Sequence, residues 1–125
     1  MTYFPPPQSS RRAPRMHLPE NTPAVLRLPI GWRIPGRLHV VSVTGGLLCL
    51  SKQLSQGAQA KLMFVSATGP VLGAVEMLSP VPGGLQPFKF TTLYEDDRRR
   101  LCAAIQMSQE QNRREHLQIE HFSAR

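Results

Sequence analysis

Short apolar segments separated by glycine or proline turns occupy most of this chain, and their close spacing limits the folds it can adopt. Strand-like segments lie at residues 24–28, 36–44, 46–51, 60–67, 70–78 and 85–92. Twelve prolines and nine glycines in 125 residues supply turns and argue against a helical bundle. The pattern predicts a mostly β fold, a small six-stranded antiparallel β-barrel, because closure removes exposed strand edges.

The character of the sequence changes at Thr92. Thr92-Leu-Tyr-Glu95 fits a capping box, in which the threonine hydroxyl and the glutamate carboxylate pair with free N–H groups of a new helix. Leu101 and Ile105 are four residues apart and would share the helix face that meets the barrel. We therefore predict that a C-terminal α-helix follows the last strand.

Composition divides the chain into three parts. Residues 1–10 contain a triple proline and no periodicity, which predicts a flexible Pro-rich arm. Residues 11–105 form the predicted barrel domain and the start of its helix. Residues 106–125 are polar and are expected to be a helical extension or a tail.

Several function classes receive no support from the sequence. No apolar run approaches the ~20 residues of a membrane span, so no membrane insertion is expected. The N-terminus lacks the pattern of a signal peptide, which favours a cytoplasmic location. Cys49 and Cys102 lie in apolar company and predict two buried free thiols, and no Cys or His spacing suggests a metal site. We find no catalytic set of side chains, and an enzyme is not expected.

Positive charge is concentrated at the two ends of the chain. The net charge is +7, and residues 1–40 hold six arginines against one glutamate. Residues 98–125 hold six arginines against three glutamates, whereas the middle is nearly neutral. An anionic partner would therefore meet the N-terminal arm most readily.

The first candidate site is an arginine pair before the first predicted strand. Arg11 and Arg15 stand four residues apart in Ser-Arg-Arg-Ala-Pro-Arg, with Arg12 adding a third charge. Guanidinium groups match phosphate oxygens and the guanine edge, and they stack on bases. The alternative interpretation of this segment alone is a solvated basic turn.

The second candidate site is the turn Ser42-Val-Thr44-Gly45-Gly46-Leu47. Ser42 and Thr44 are two residues apart, so on a strand they point to the same face. Gly45 and Gly46 either leave room for a ligand beside the backbone or permit the positive φ of a hairpin at a very short turn.

The order of these parts resembles a PilZ domain over residues 10–105. The arginine pair, the hydroxyl-bearing glycine turn and the closing segment Leu-Tyr-Glu-Asp-Asp-Arg-Arg-Arg-Leu carry the resemblance. It implies a non-catalytic, bacterial receptor for the second messenger cyclic di-GMP, with no metal or other cofactor and with an unidentified protein partner downstream. It also implies that the arginine arm becomes ordered over the ligand. The ligand-binding residues implied are Arg11, Arg12, Arg15, Ser42, Thr44, Gly45 and Gly46.

The second motif departs from the family pattern Asp/Asn-x-Ser-x-x-Gly. Ser42 stands at the Asp/Asn position, Thr44 at the Ser position and Leu47 at the final Gly position. Losing one good polar contact costs about 1–3 kcal/mol, and Leu47 would crowd the ligand. The sequence therefore predicts weak or absent binding of the nucleotide.

Two other functions remain open at the level of sequence. One is a protein-interaction module on the same scaffold that binds cyclic di-GMP weakly or not at all, with residues 106–125 as the docking segment. The other is a general nucleic-acid binder, which the basic ends suggest, although such barrels stack bases on exposed aromatics. Trp32 is expected to plug one end of the barrel.

Overall fold

The computed structural model describes residues 13–18 and 22–123, with side chains described through residue 114. Seven strands and one helix, which we call α1, account for most of this part. The strands are β1 Met16–His17, β2 Pro23–Arg27, β3 Arg33–Val41, β4 Gly45–Leu50, β5 Gln59–Ser66, β6 Gly69–Met77 and β7 Leu85–Thr92, and α1 is Glu95–Ser123.

Six of these strands close into a barrel. Neighbours follow the order β3-β2-β5-β6-β7-β4, and β4 pairs back with β3, so the sheet has no free end within this ring. All pairings are antiparallel. The six-stranded antiparallel barrel with a C-terminal helix is thus confirmed. The short strand β1 is additional and was not predicted; it pairs with the end of β3 through Met16 and Val41.

Buried and exposed residues alternate along the strands, and the buried side chains form the core. In β5 every second residue is buried, so that Ala60, Leu62 and Phe64 face inward and their neighbours face water. Leu101 and Ile105 of α1 are also buried in this core, as the four-residue spacing predicted. Their burial fixes the first turns of α1 against the barrel.

The predicted capping box at Thr92 is wrong. Thr92 is the last residue of β7 and lies opposite Ala74 of β6, so sheet pairing occupies the position that would have started the helix. The first bond of α1 instead runs from Arg98 N–H to the Tyr94 carbonyl at 2.8 Å, which makes Tyr94 the N-cap.

The start of α1 also completes the edge of β6. Strand β7 pairs only with residues 74–77 of β6, so Leu72 lies beyond the last paired position. Its N–H donates to Asp97 Oδ1 of α1 at 2.9 Å, and the same oxygen accepts from Arg100 Nη2 at 3.1 Å. A helix side chain therefore satisfies a strand donor that a neighbouring strand would otherwise bind.

Three predicted burials are corrected by the structure. Cys49 is only half-buried because the strand alternation points its neighbours, not its own side chain, into the core. Cys102 is exposed because it follows buried Leu101 and so lies on the outer side of α1. Trp32 is 68% exposed and does not plug the barrel. In the described part of the chain, no helix combines the length and the apolar character needed to cross a bilayer.

Candidate functional site

An open cleft of about 620 Å³ lies where β3 turns into β4. Its walls come from the residues before β1, from the β3–β4 turn, from the start of β4 and from the part of β7 that pairs with β4. The lining residues are Ala13, Arg15, Val40, Ser42, Thr44, Gly45, Gly46, Leu47, Leu78, Pro87, Phe88 and Lys89.

Strand β1 places Arg15 beside the turn. Met16 is buried and lies opposite Val41, the last residue of β3. Continuing the same register by one residue puts Arg15 across from Ser42. Arg15 is itself exposed and has no ion pair within the described residues. The pairing of β1 with β3 therefore places the positive charge of Arg15 at the cleft, and no described carboxylate neutralises it.

Side-chain hydroxyls build the β3–β4 turn. Ser42 Oγ accepts from the Thr44 N–H at 3.2 Å and donates to the Gly45 carbonyl at 3.2 Å. It also lies 2.9 Å from Thr44 Oγ1. Ser42 is 6% exposed, so its hydroxyl is engaged inside the turn. This pattern is the local side-chain-to-backbone bonding that serine favours in turns.

Thr44 occupies the accessible position of the same turn. Its side chain belongs to an exposed residue, and its carbonyl accepts from Phe90 N–H of β7 at 2.9 Å. The backbone is thus held to β7, and the side chain is exposed at the cleft although its hydroxyl lies 2.9 Å from Ser42 Oγ. Of the two predicted hydroxyl residues, Thr44 is the one that a molecule in the cleft can reach.

Gly45 and Gly46 are required by close backbone contact. β3 and β4 form the predicted hairpin, but neither glycine has a positive φ, so the explanation that the pair supplies a positive φ is wrong. The turn is made by residues 42–44, and both glycines already lie in β4. A Cβ at Gly45 would lie 2.2 Å from the Phe88 carbonyl oxygen, and one at Gly46 would lie 2.2 Å from the Val40 oxygen. The glycines therefore let β4 fit between β3 and β7. Because they have no side chains, they also leave space at the base of the cleft.

Comparisons with known proteins agree on the architecture. No protein-family model matches the chain, and no curated protein sequence matches it significantly. Among solved structures, the PilZ domain with c-di-GMP of YcgR from Escherichia coli matches with a TM-score of 0.66 at 16% identity. That match covers 86% of this chain and 97% of the other.

The chain has the PilZ-domain fold. YcgR in complex with c-di-GMP from Escherichia coli matches with a TM-score of 0.73 at 18% identity, over 88% of this chain and 50% of that one. The chain thus spans about half the length of that larger YcgR structure. The PilZ domain of CeSA from a cellulose-synthesizing bacterium matches with a TM-score of 0.55 at 14% identity, over 73% of this chain and 93% of that one.

The PilZ fold brings together five of the seven predicted site residues. Arg15, Ser42, Thr44, Gly45 and Gly46 all line the one cleft. The other two, Arg11 and Arg12, lie outside the described residues.

The site residues predicted from the sequence do not include the β7 wall of this cleft, and the sequence left open whether Lys89 lines a cleft or lies in solvent. Lys89 lies opposite Gly45, and its Nζ is 3.8 Å from a carboxylate oxygen of Glu76. Phe88 lies beside it and packs edge-on against Phe90, with ring centroids 5.4 Å apart. Lys89 is exposed and lies between the buried Phe88 and the half-buried Phe90 along β7. The pairing of β4 with β7, which places it at the cleft, had no local signal.

The chemistry of the cleft is that of recognition by charge and hydrogen bonding. Arg15 and Lys89 supply positive charge, Thr44 supplies a hydroxyl, and the apolar floor comes from Leu47 and Phe88. Among the described side chains, those of residues 13–18 and 22–114, no group of three or more His, Cys, Asp or Glu is arranged to hold a metal ion.

Proposed function

We propose that this chain is a non-catalytic receptor domain for cyclic di-GMP. The observation that carries the proposal is that Arg15 and Thr44 line one cleft, although they belong to different segments of the sequence. Two of the similar structures are described as containing c-di-GMP. A dianionic, guanine-bearing ligand suits a cleft that offers arginine, lysine and a hydroxyl.

Each residue then has a distinct role. Arg15 binds a phosphate or a guanine edge, and Lys89 adds charge at the β7 wall. Thr44 donates to or accepts from the ligand, whereas Ser42 holds the turn in shape because its hydroxyl is engaged there. Gly45 and Gly46 keep the floor open. Arg11 and Arg12 add further contacts to the nucleotide when the arm becomes ordered over it.

The same geometry explains why binding should be weaker than the fold alone suggests. Ser42 has no second polar atom to offer the ligand, and Leu47 lines the cleft where a glycine would leave more room. Losing one polar contact of this kind costs about 1–3 kcal/mol, or roughly ten- to a hundredfold in affinity.

Isothermal titration of the full chain with cyclic di-GMP tests the proposal. We expect saturable binding, a rise in melting temperature as ligand accumulates, and no comparable effect from GMP. A folded sample that releases no heat at high micromolar ligand would exclude the receptor function. That result would favour the interaction module that binds no nucleotide.

Signalling to a protein partner is a further part of this proposal. Helix α1 continues to Ser123, well beyond its buried residue Ile105, and most of residues 106–114 are exposed. This extension is the surface on which we expect a partner to dock. Deleting residues 106–125 should leave the barrel folded and the titration unchanged while abolishing capture of the partner. Retained capture would assign docking to another surface.

A further inference from the structure

The β2–β3 hairpin forms a rigid, exposed tip at the end of β3 opposite the cleft. Gly31 N–H donates to the Leu28 carbonyl at 2.8 Å, and Leu28 N–H donates to the Trp32 carbonyl at 2.8 Å. Pro29 occupies a position where its fixed φ suits a type I turn, and Gly31 has a φ of 94°. The tip is therefore held in one conformation by its backbone.

Two large apolar side chains project from this rigid tip. Ile30 is 70% exposed and Trp32 is 68% exposed. Trp32 pairs with Leu28 beyond the last row of β2 and β3, which explains why it is not covered by the barrel. Neighbouring exposed apolar groups on a convex, ordered turn are a feature of interaction surfaces.

Three cations lie in one row directly behind the tip. Arg27 of β2 is opposite Arg33 on one side and opposite Lys61 of β5 on the other, and all three are exposed. Like charges placed directly opposite each other destabilise a sheet. No ion pair involves any of them in the described part of the chain. Glu76 is diagonal to Lys61, but its carboxylate pairs with Lys89.

A shallow cleft of about 360 Å³ opens between the row and the tip. Arg27, Pro29 and Lys61 are among the residues that line it. The cleft is a place where an anionic group can approach two cations at once. Such an anion would offset the repulsion within the row, and an apolar layer beneath it would cover Ile30 and Trp32.

We propose that this end of the barrel docks on the surface of an anionic lipid bilayer. Basic side chains attract anionic headgroups, tryptophan favours the headgroup level, and an aliphatic tip inserts shallowly. A single-stranded nucleic acid fits less well, because it needs several stacking aromatics along a groove, and the tip is convex with one aromatic ring.

The position of the tip gives the docked domain a defined orientation. The nine residues of β3 separate Arg33 at the tip from Val41 beside the nucleotide cleft, a length of roughly 26 Å. A barrel standing on the hairpin would keep the cleft open to water. Lipid docking therefore does not depend on the proposed nucleotide function, and each can be tested without the other.

Fluorescence of the full chain provides a direct test, because Trp32 is its only tryptophan. We expect a blue shift of emission and cosedimentation with vesicles of equal parts phosphatidylglycerol and phosphatidylcholine, and neither effect with phosphatidylcholine alone. Arg27→Gln and Lys61→Gln should each weaken binding about fivefold. Ile30→Ser should reduce both cosedimentation and the blue shift.

Matched control variants distinguish lipid binding by this surface from nonspecific binding by exposed apolar or basic residues elsewhere. Val65 is 70% exposed, as Ile30 is, but lies on the outer face of β5, so Val65→Ser should leave vesicle binding unchanged. Arg98→Gln removes the same charge as Arg27→Gln from α1 and should also have no effect. Absence of a blue shift with anionic vesicles would overturn the proposal. Equal shifts with polyglutamate or single-stranded DNA would overturn it as well and would assign the surface to an acidic protein or a nucleic acid.

Discussion

Ser42 Oγ lies 2.9 Å from Thr44 Oγ1 across the tip of the β3–β4 turn. The same arrangement recurs at the β5–β6 turn, where Ser66 Oγ lies 3.1 Å from Thr68 Oγ1 and donates to the Gly69 carbonyl at 2.7 Å. Both turns have the sequence Ser-x-Thr-Gly. The chain therefore uses one turn design twice at the same end of the barrel.

The two turns differ in what covers the threonine. Thr68 Oγ1 donates to the Arg100 carbonyl of α1, so the helix seals the second turn. Thr44 is exposed at the cleft. The β5–β6 turn is thus an internal control for the β3–β4 turn. It has the same serine–threonine hydrogen bonds, but its threonine is covered by α1 and does not face a cleft.

Replacing each serine separates turn stability from ligand recognition. Ser42→Ala and Ser66→Ala should each destabilise the fold by about 1–2 kcal/mol, because each removes a buried hydroxyl that bonds the turn backbone. Thermal unfolding should show both losses. Only Ser42→Ala should also weaken cyclic di-GMP binding in a titration, and equal effects of the two variants on binding would contradict the role of the first turn.

Ser42→Asn should strengthen nucleotide binding. An asparagine side chain can accept from the Thr44 N–H as an Asx turn does, and its amide offers a further polar atom toward the cleft. We expect a gain of roughly tenfold in affinity by titration, which corresponds to about one added polar contact. The same change at Ser66 should leave affinity unchanged. An unchanged affinity of Ser42→Asn would place the ligand away from this turn.

Arg15→Ala should reduce cyclic di-GMP affinity by roughly 10- to 100-fold, since a bond from a guanidinium to a charged group is worth about 1.5–3 kcal/mol. The side chain is exposed and has no ion pair among the described residues, so the melting temperature without ligand should stay the same. Arg98→Ala removes the same charge from a residue outside the cleft and should bind normally. If the two variants lost equal affinity, net charge would explain the effect.

Gly45→Ala should damage the barrel and the cleft together. The new methyl group would lie 2.2 Å from the Phe88 carbonyl oxygen, and backbone atoms cannot move aside as a flexible side chain can. We expect a loss at or above the top of the roughly 1–3 kcal/mol range that overpacking costs, together with loss of ligand binding.

Gly83→Ala provides the comparison for that variant. Its φ is 90°, and nothing lies within 4 Å of the added carbon, so only backbone strain of about 1–2 kcal/mol applies. Thermal unfolding and titration should show a modest loss of stability with binding retained. A Gly45→Ala protein as stable as Gly83→Ala would contradict the close-contact argument.

The sequence was a good guide wherever the information was local. The alternation of apolar residues predicted β5 and β6 within one residue at each end, and β7 was predicted over the residues it occupies. The Arg15 and Thr44 candidates came from side-chain chemistry. The structure places both at one cleft, and their role in binding stays a prediction. Strand β1 was missed because two residues are too few to show a period.

The remaining features depend on contacts between distant segments. The pairing of β4 with β7 decides that Lys89 and Phe88 form a wall of the cleft and that Gly45 must lack a side chain. The β6–β7 pairing likewise holds Thr92 in a strand and moves the start of α1 to Glu95. No local sequence pattern shows that β4 pairs with β7 or that Thr92 stays in a strand.

The bond from Leu72 N–H to Asp97 joins the first turn of α1 to the edge of β6 that β7 leaves uncovered. If the first turn of α1 lifted away, β6 would present an unpaired donor along an uncovered margin, where a strand from a second molecule could add. We therefore expect the docked helix to oppose the joining of two barrels through β6.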